Sequence, residues 1–490
     1  MVIPNLIIWR LDSSVKGDPL RDDLVEQCVN LVRDQGAQYA ESRWEKGIHD
    51  FLMMKNGVVE VARVDRREGV SLRAIVNGGL GFGFTNSLTS ASIKEMVDRV
   101  VRMAKGINPK KGVKLSSEKA CVDEYNVKER KPLLDIDHET KVRTLLEIEN
   151  SLPRGVNTPA RVFYLYTDIN QKVYMNSDGA KVVSRIPRVG LFAFLTVVEG
   201  GQSEQASLSF GKCMGWEFIK EVDPRTKIHD EVNALKRVIT EGKKPPQGEV
   251  DLVLGSEVAG IIAHESCGHP FEVDRILGRE AAQAGEAYTT PDMLGKKIGS
   301  EAVTIIDDPT VENNYGFYRY DDEGVKARPR YLIKKGVITE FLMNRATAYE
   351  LGKVSNAAAR AMDYDYEPIV RMSNTFFDAG DHSHEELIEG VKLGVYMKSY
   401  TEWNIDDKRF NQRYVGRECY LIEGGEIRGP VRRPVLEITT PAMFEAIDAA
   451  GKTIERFSAQ CGKGDPMQGI PVDLGGPELR ARNIRLRSGV

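Results

Sequence analysis

The stretch His264-Glu265-Ser266-Cys267-Gly268-His269 packs two imidazoles and a carboxylate into six residues. The whole chain of 490 residues has only seven histidines. At ordinary Glu and His frequencies this spacing is expected by chance fewer than ~0.01 times in such a chain. Imidazoles bind a zinc-like ion, and a neighbouring carboxylate can take a proton from an attacking water. The pattern reads as metal-assisted hydrolysis.

The spacing constrains the backbone. In the ordinary zincin pattern the histidines are four apart and share one helix face. Here they are five apart, so on a regular α-helix they diverge by roughly 140°. Both reach one ion only if the helix bulges or ends between them. Gly268 tolerates unusual dihedrals and Pro270 disfavours the α-region for His269, so the expectation is a helix that ends there. His264 and Glu265 then sit on its last turns, with His269 at the broken end. Upstream, Val250–Leu254 reads as a strand, and Ser256 suits an N-cap with Glu257 at the positive end of the helix dipole.

A catalytic zinc takes three protein ligands and leaves a position open. The candidates for the third are Cys267, the remaining histidines, a carboxylate and the other cysteines. Cys267 lies between the two histidines and suits a buried packing role. Cys461 sits in a glycine-flanked segment, Ala459-Gln460-Cys461-Gly462-Lys463-Gly464, read as a loop able to approach closely. Spacing alone leaves this choice open. Glu272 and Asp274 are near in sequence, and surface carboxylates are the expected reading for both.

Working outward, Pro19–Asp34 shows helical periodicity, with Leu24, Val25, Cys28, Leu31 and Val32 on one face. Segments 50–55 and 58–64 flank Asn56-Gly57, a strong hairpin signal. A second strand pair, 69–76 and 80–85, is joined through Asn77-Gly78-Gly79. Its glycines alternate with Leu80, Phe82 and Phe84 at strand period, which argues against a phosphate loop. Residues 90–105 form another amphipathic helix. From roughly 160 to 212 the pattern is antiparallel β, followed by a charged helix at about 216–241. Gly242–Gly248, with Pro245-Pro246, reads as a linker. Beyond it, hairpins are expected near Tyr331–Leu342 and Cys419–Ile427. The fold class is α+β: a mixed α/β unit over residues 1–242, then a β-rich unit over 249–490 carrying the His-Glu helix. In the second unit, His382 and His384 suit a solvated helix start capped by Ser383 and Glu386 better than a second metal cluster. The aromatic run Tyr315–Tyr320 is expected to pack a core.

Composition narrows the function. A formal net charge of −4 gives no global attraction to nucleic acid or an anionic membrane. No stretch of 18 apolar residues exists, so no membrane span is expected. The apolar start, Met1–Trp9, lacks a basic flank and reads as a strand or packed arm, not a signal peptide. Six dispersed cysteines without a CxxC pair fit a reducing, cytoplasmic setting rather than a disulfide framework.

The chain resembles the TldD half of the TldD/TldE (PmbA) metalloprotease family. The likeness rests on the His-Glu hexapeptide together with Gly36–Glu41, the Asn56-Gly57 hairpin, Gly69–Arg73 and Gly79–Gly83. Arg371-Met372-Ser373-Asn374-Thr375 and the Cys461-Gly462-Lys463 segment before Pro471-Val472 complete it. The resemblance implies a zinc-dependent peptidase with one Zn2+ per chain held by His264, His269 and Cys461, and Glu265 as general base. It implies peptides or unfolded protein segments as substrate, and a TldE-like partner subunit or a homo-oligomer. Older family naming points to DNA gyrase, but no basic cluster supports nucleic-acid binding here. Two rivals remain: a metal-stabilised scaffold without activity, and another metal-dependent amide hydrolase such as a deformylase. Strand-edge binding of the peptide backbone would suit an enzyme acting on unfolded segments.

Overall fold

The computed structural model describes residues 19–107, 111–279 and 285–489; the expectation for Met1–Trp9 lies outside them. Helix Pro19–Asp34 turns Val25, Cys28 and Val32 inward and adds Val29. The segments expected as separate short strands are continuous. Tyr39–Lys55 and Val58–Val76 form one long antiparallel hairpin around Asn56-Gly57, both residues at positive φ. The second turn, Asn77-Gly78, leads into Gly79–Thr85 as expected. These strands join Ala160–Asn176, Lys181–Glu199, Gln202–Lys212 and Val122–Asn126 in a seven-stranded sheet. Helices His138–Asn150 and Pro224–Glu241 cover one face, burying Leu145, Ile148, Val232 and Leu235 against Leu52, Phe163, Leu165 and Leu191. The helix expected at 216–241 is two helices, Phe218–Val222 and Pro224–Glu241. Asp223, left-handed at φ 45°, ends the first, and Pro224 begins the second, where a missing N–H costs nothing.

Of the remaining strands, Ala359–Arg360 and Ile369–Val370 pair with each other, and the rest build two larger sheets. One has nine strands, in which Gly248–Leu254 is central, paired antiparallel with Leu479–Ser488 and parallel with Leu393–Met397. The other has six, ordered Val337–Ile338, Arg330–Lys334, Ile305–Asp307, Asn374–Phe377, Gln468–Gly476 and Glu455–Lys463. Helix Ser256–Ile262 leaves the central strand of the larger sheet and packs on the smaller one. Its Val258, Ala259 and Ile262 share one core with Leu252, Leu254 and Val395 on one side and Ile305, Phe377 and Val472 on the other. Gly260 allows this contact, because a Cβ there would lie 2.7 Å from the Gly475 nitrogen. The last hundred residues thus fold back over the His-Glu helix.

The hairpins expected near 331–342 and 419–427 are present, turning at Lys335-Gly336 and Gly424-Gly425. Ser383 caps helix His384–Glu389 through a capping box with Glu386. Tyr315, Phe317 and Tyr318 are buried, and Tyr125 meets Phe317 edge-on. No helix among the described residues is long and apolar enough to cross a membrane.

Candidate metal centre

The helix that carries the motif does not end where expected. Gly255, not Ser256, is its cap residue, and after Ile262 it widens into a π-helix over Ala263–Gly268. The His269 N–H donates to the His264 carbonyl five residues back. One widened turn therefore brings residues five apart onto the same side, the register a regular helix denies them. Gly268 is an ordinary helical residue, with φ −54° and ψ −63°, and its role is space. A Cβ there would sit 1.8 Å from Met372 Sδ. His269 is helical too despite Pro270, which occupies the first turn of a short 3-10 segment, His269–Phe271, where its ring is tolerated.

Cys461 arrives from the other end of the same unit. It lies within strand Glu455–Lys463, opposite Ile470 of Gln468–Gly476, and not in a loop. Pairing with the following strand overrides the flexible look of Gly462 and Gly464. Buried Arg371 fixes this segment: Nη2 donates to the Cys461 carbonyl and Nη1 to the Gln468 carbonyl at 2.9 Å. His264, His269 and Cys461 are all buried, and one donor atom from each lies within 4.8 Å of the others. No second group of three potential ligands occurs among the described residues. Cys267 is fully buried in the core, and burial pushes its thiol well up. His384 instead meets Glu478 at 2.6 Å.

The protonation states suit a cation. Glu272 Oε2 lies 3.2 Å from His269 Nδ1, and an ionised carboxylate only accepts, so Nδ1 carries the hydrogen. Neutral His269 then presents a bare Nε2, which lies 3.5 Å from Cys461 Sγ. Burial holds both imidazoles below their usual pKa. His264 Nδ1 is buried with no hydrogen-bond partner among the described residues, a costly arrangement that a bound cation would explain. Burial pushes the Cys461 thiol up, but His269 and Arg371 outweigh it and bring it down to about 7. Two buried imidazoles and a thiol with a lowered pKa make a donor set that a zinc ion would fit.

Glu272 and Asp274, expected at the surface, are both buried. The reason lies 189 residues away in the chain: Lys463 Nζ contacts Asp274 Oδ1 at 2.6 Å and Glu272 Oε2 at 3.2 Å. Arg275 Nε adds a 2.8 Å bond to the same Glu272 oxygen. Burial works to raise the Glu272 pKa, yet Lys463, His269 and Arg275 hold it well below the usual carboxylate range. Lys463 is two residues from Cys461, on the same side of the strand, so one strand supplies both a sulfur donor and the counter-charge for the carboxylate that orients His269. Glu265 is 4% exposed and accepts from Arg409 Nη1 at 2.7 Å. Arg371, Lys463 and Arg409 were not singled out from the sequence. The first two lie in motifs that were noted, while nothing in the sequence marks Arg409.

Comparison with known proteins places this chain in a wider set. Models of the PmbA/TldA metallopeptidase domain 1, central domain and C-terminal domain match residues 40–104, 131–237 and 247–488. A metalloprotease of Methanothermobacter thermautotrophicus is 31% identical over 451 residues, covering 91% of this chain and 94% of that one. A zinc metalloprotease TldD homolog of Saccharolobus solfataricus is 27% identical over 465 residues, covering 94% and 98%. In the solved structures, TldE from Thermococcus kodakarensis shares the fold at 16% identity, with a TM-score of 0.74 over 96% of this chain and 100% of that one. With all three domain models in order and near full-length relatives bearing the same activity name, the chain belongs to the PmbA/TldD family of metallopeptidases, on its TldD-like side.

Proposed function

We propose that this metallopeptidase hydrolyses peptides or unfolded protein segments with one zinc ion held by His264, His269 and Cys461, and with Glu265 as general base. The observation that carries this reading is the convergence of three buried donor atoms within 4.8 Å from two distant parts of the chain. The unpartnered His264 Nδ1 and the lowered Cys461 pKa add to it. A zinc ion bound there supplies Lewis acidity, polarising a carbonyl and making water nucleophilic near neutral pH. Glu265 accepts the proton of the attacking water at a carboxylate oxygen and returns it to the leaving amine. Glu272 holds the His269 tautomer, and Lys463 keeps Glu272 ionised inside the protein. A thiolate donates more charge than a third imidazole and moderates the Lewis acidity, so the general base carries more of the work.

The edge strand Tyr400–Ile405 ends the nine-stranded sheet and lies just before Arg409, which supports binding of an extended peptide by strand addition. The likeness to a TldE supports a heteromeric enzyme with a TldE-like subunit, with a homo-oligomer as the other arrangement. Six free cysteines support a reducing cytoplasm as its place of work. The sheet memberships support a division into units 1–242 and 249–490.

The test is metal content per chain by elemental analysis on wild type, Cys461→Ser, His264→Ala and Glu265→Gln. Zinc near one per chain, lost from the first two variants and kept in Glu265→Gln with peptide cleavage abolished, is the expected result. Full retention in Cys461→Ser removes the third ligand, and metal-free folded wild type removes the reading.

A further inference from the structure

We propose that Arg409 is a positioning residue, built into a strained turn in order to fix the Glu265 carboxylate for proton transfer. The proposal rests on the reading of Glu265 as general base.

Glu265 is buried, and Arg409 Nη1 is the one side-chain partner its carboxylate has among the described residues, at 2.7 Å on Oε2. The other oxygen, Oε1, is left to accept. A buried carboxylate with one firm anchor and one unused oxygen is arranged to take a proton rather than to complete an ion pair.

Arg409 is placed at some expense. It sits in the turn between strands Tyr400–Ile405 and Asn411–Gly416 with φ 63°, a left-handed conformation that a side chain with a Cβ disfavours. Side chains around it hold the turn. Asp406 accepts from the Phe410 N–H at 2.7 Å and the Asn411 N–H at 3.1 Å, and the Arg409 N–H donates to the Asp406 carbonyl at 2.9 Å.

The turn is also tied to the motif helix by a closed ring. Thr440 Oγ1 donates to the Arg409 carbonyl at 2.8 Å, and Gln412 Nε2 donates to Thr440 Oγ1 at 3.2 Å. Ser266 Oγ donates to Gln412 Oε1 at 2.9 Å. Ser266 is the neighbour of Glu265, so the ring leaves the helix at one residue and returns through the Arg409 guanidinium to the residue before it. Tyr288 adds a second brace: its N–H donates to the Lys408 carbonyl at 2.8 Å and its hydroxyl to the Ser266 carbonyl at 3.0 Å.

A purely structural arginine in this fold looks different. Arg330 is fully buried and spends Nε, Nη1 and Nη2 on Asp307, Tyr318, Asn356, Ala357 and Ser373. Among the described residues, Arg409 leaves Nε buried without a hydrogen-bond partner, and its side chain's single acceptor is the Glu265 carboxylate. Backbone strain held in place by its surroundings, next to chemistry, is a signature of a functional residue.

The double variant separates function from stability. Arg409→Gly removes the disfavoured left-handed side chain together with the guanidinium. Arg409→Lys keeps an N–H donor for Glu265. Glu265→Gln and the double variant Glu265→Gln/Arg409→Gly complete the set. Each metal-loaded protein is measured for metal per chain, melting temperature, and kcat and KM on dye-labelled unfolded casein. Expected for Arg409→Gly are unchanged metal content and a melting temperature lowered because buried Glu265 loses its counter-charge, with that loss recovered in the double variant, where residue 265 is neutral. The kcat of Arg409→Gly should fall roughly 10- to 100-fold, as for a displaced catalytic group, with KM held within about twofold. Arg409→Lys should recover part of kcat, and the double variant should be no slower than Glu265→Gln.

Wild-type kcat in Arg409→Gly overturns the proposal while leaving Glu265 as base, provided Glu265→Gln is inactive. Loss of metal in Arg409→Gly, or a melting temperature that stays low in the double variant, assigns the residue a structural role and also overturns it, as does failure of lysine to rescue. An active Glu265→Gln instead removes the reading on which the proposal rests.

Discussion

Replacing Lys463 with methionine is the sharpest test of how the centre is held together. The ammonium is fully buried, 2.6 Å from Asp274 Oδ1, 3.2 Å from Glu272 Oε2 and 2.8 Å from the Val370 carbonyl. Methionine fills similar volume and offers no donor. Glu272 would keep Arg275 and His269, but among the described residues the Asp274 side chain would keep only the Arg275 N–H at 2.9 Å. Removing one partner of a buried ion pair costs about 3–5 kcal/mol, because the remaining charge stays dry and uncompensated. At about 2–4 °C per kcal/mol for a unit of this size, the melting temperature of chelator-treated protein should fall on the order of 10 °C. Asp274→Asn in the same chain should restore part of that loss, with a coupling of about 1–3 kcal/mol. A second effect is on the metal. With Glu272 less firmly held, His269 is less well oriented, and zinc affinity measured by competition with a chromogenic chelator should weaken about 10- to 100-fold. A Lys463→Met protein that melts within about 1 kcal/mol of wild type would refute the reasoning, since it would mean that the carboxylates are neutral or hydrated in the fold.

Two further outcomes follow from the same geometry. Gly268→Ala drives a methyl group into Met372 Sδ, so it should cost about 1–3 kcal/mol by thermal melting and lower zinc affinity with it; in a Met372→Ala background that increment should shrink. Asp473 is buried with Oδ1 unpartnered among the described residues, and burial pushes its pKa up to about 6. A carboxyl raised in the fold contributes stability that is full below its unfolded value near 3.8 and is lost as pH rises through about 6. Asp473→Asn should therefore gain on wild type by about 1–3 kcal/mol as pH goes from 4 to 7 in paired melting curves, and a pH-independent difference would count against it.

The sequence carried the outline of this molecule better than its joints. The Asn56-Gly57 turn, the helix over Ser90–Gly106 and the capping box at Ser383 are local signals, and each is where local chemistry places it. The π-turn over Ala263–Gly268 is not local in that sense. No residue there prefers five-residue hydrogen bonding, and the widened turn is held by Met372 against Gly268 and by the sheets on either side. Cys461 looked like a loop residue because its neighbours are glycines, yet the strand Gln468–Gly476 supplies a ladder that glycine accepts. Glu272 and Asp274 looked like surface charges because the cation that permits their burial is distant in sequence. Asp223-Pro224 did announce a break in the helix read over 216–241, and a continuous charged pattern obscured it.

The long way round from His269 to Cys461 sets a schedule for the molecule during its synthesis. The two residues are 192 positions apart. At ~5–20 residues per second, the ribosome takes roughly 10–40 s to pass from the second imidazole to the thiol. Throughout that interval the histidine pair can exist without its cysteine, its arginine clamp on the cysteine strand or Lys463. Two imidazoles alone choose poorly among divalent ions, since affinity then follows the general order of the metals. With Cys461 as the third ligand, as proposed, discrimination would begin only when the hairpin after residue 455 closes, so an ion met earlier by the nascent chain would still have to be exchangeable at that moment.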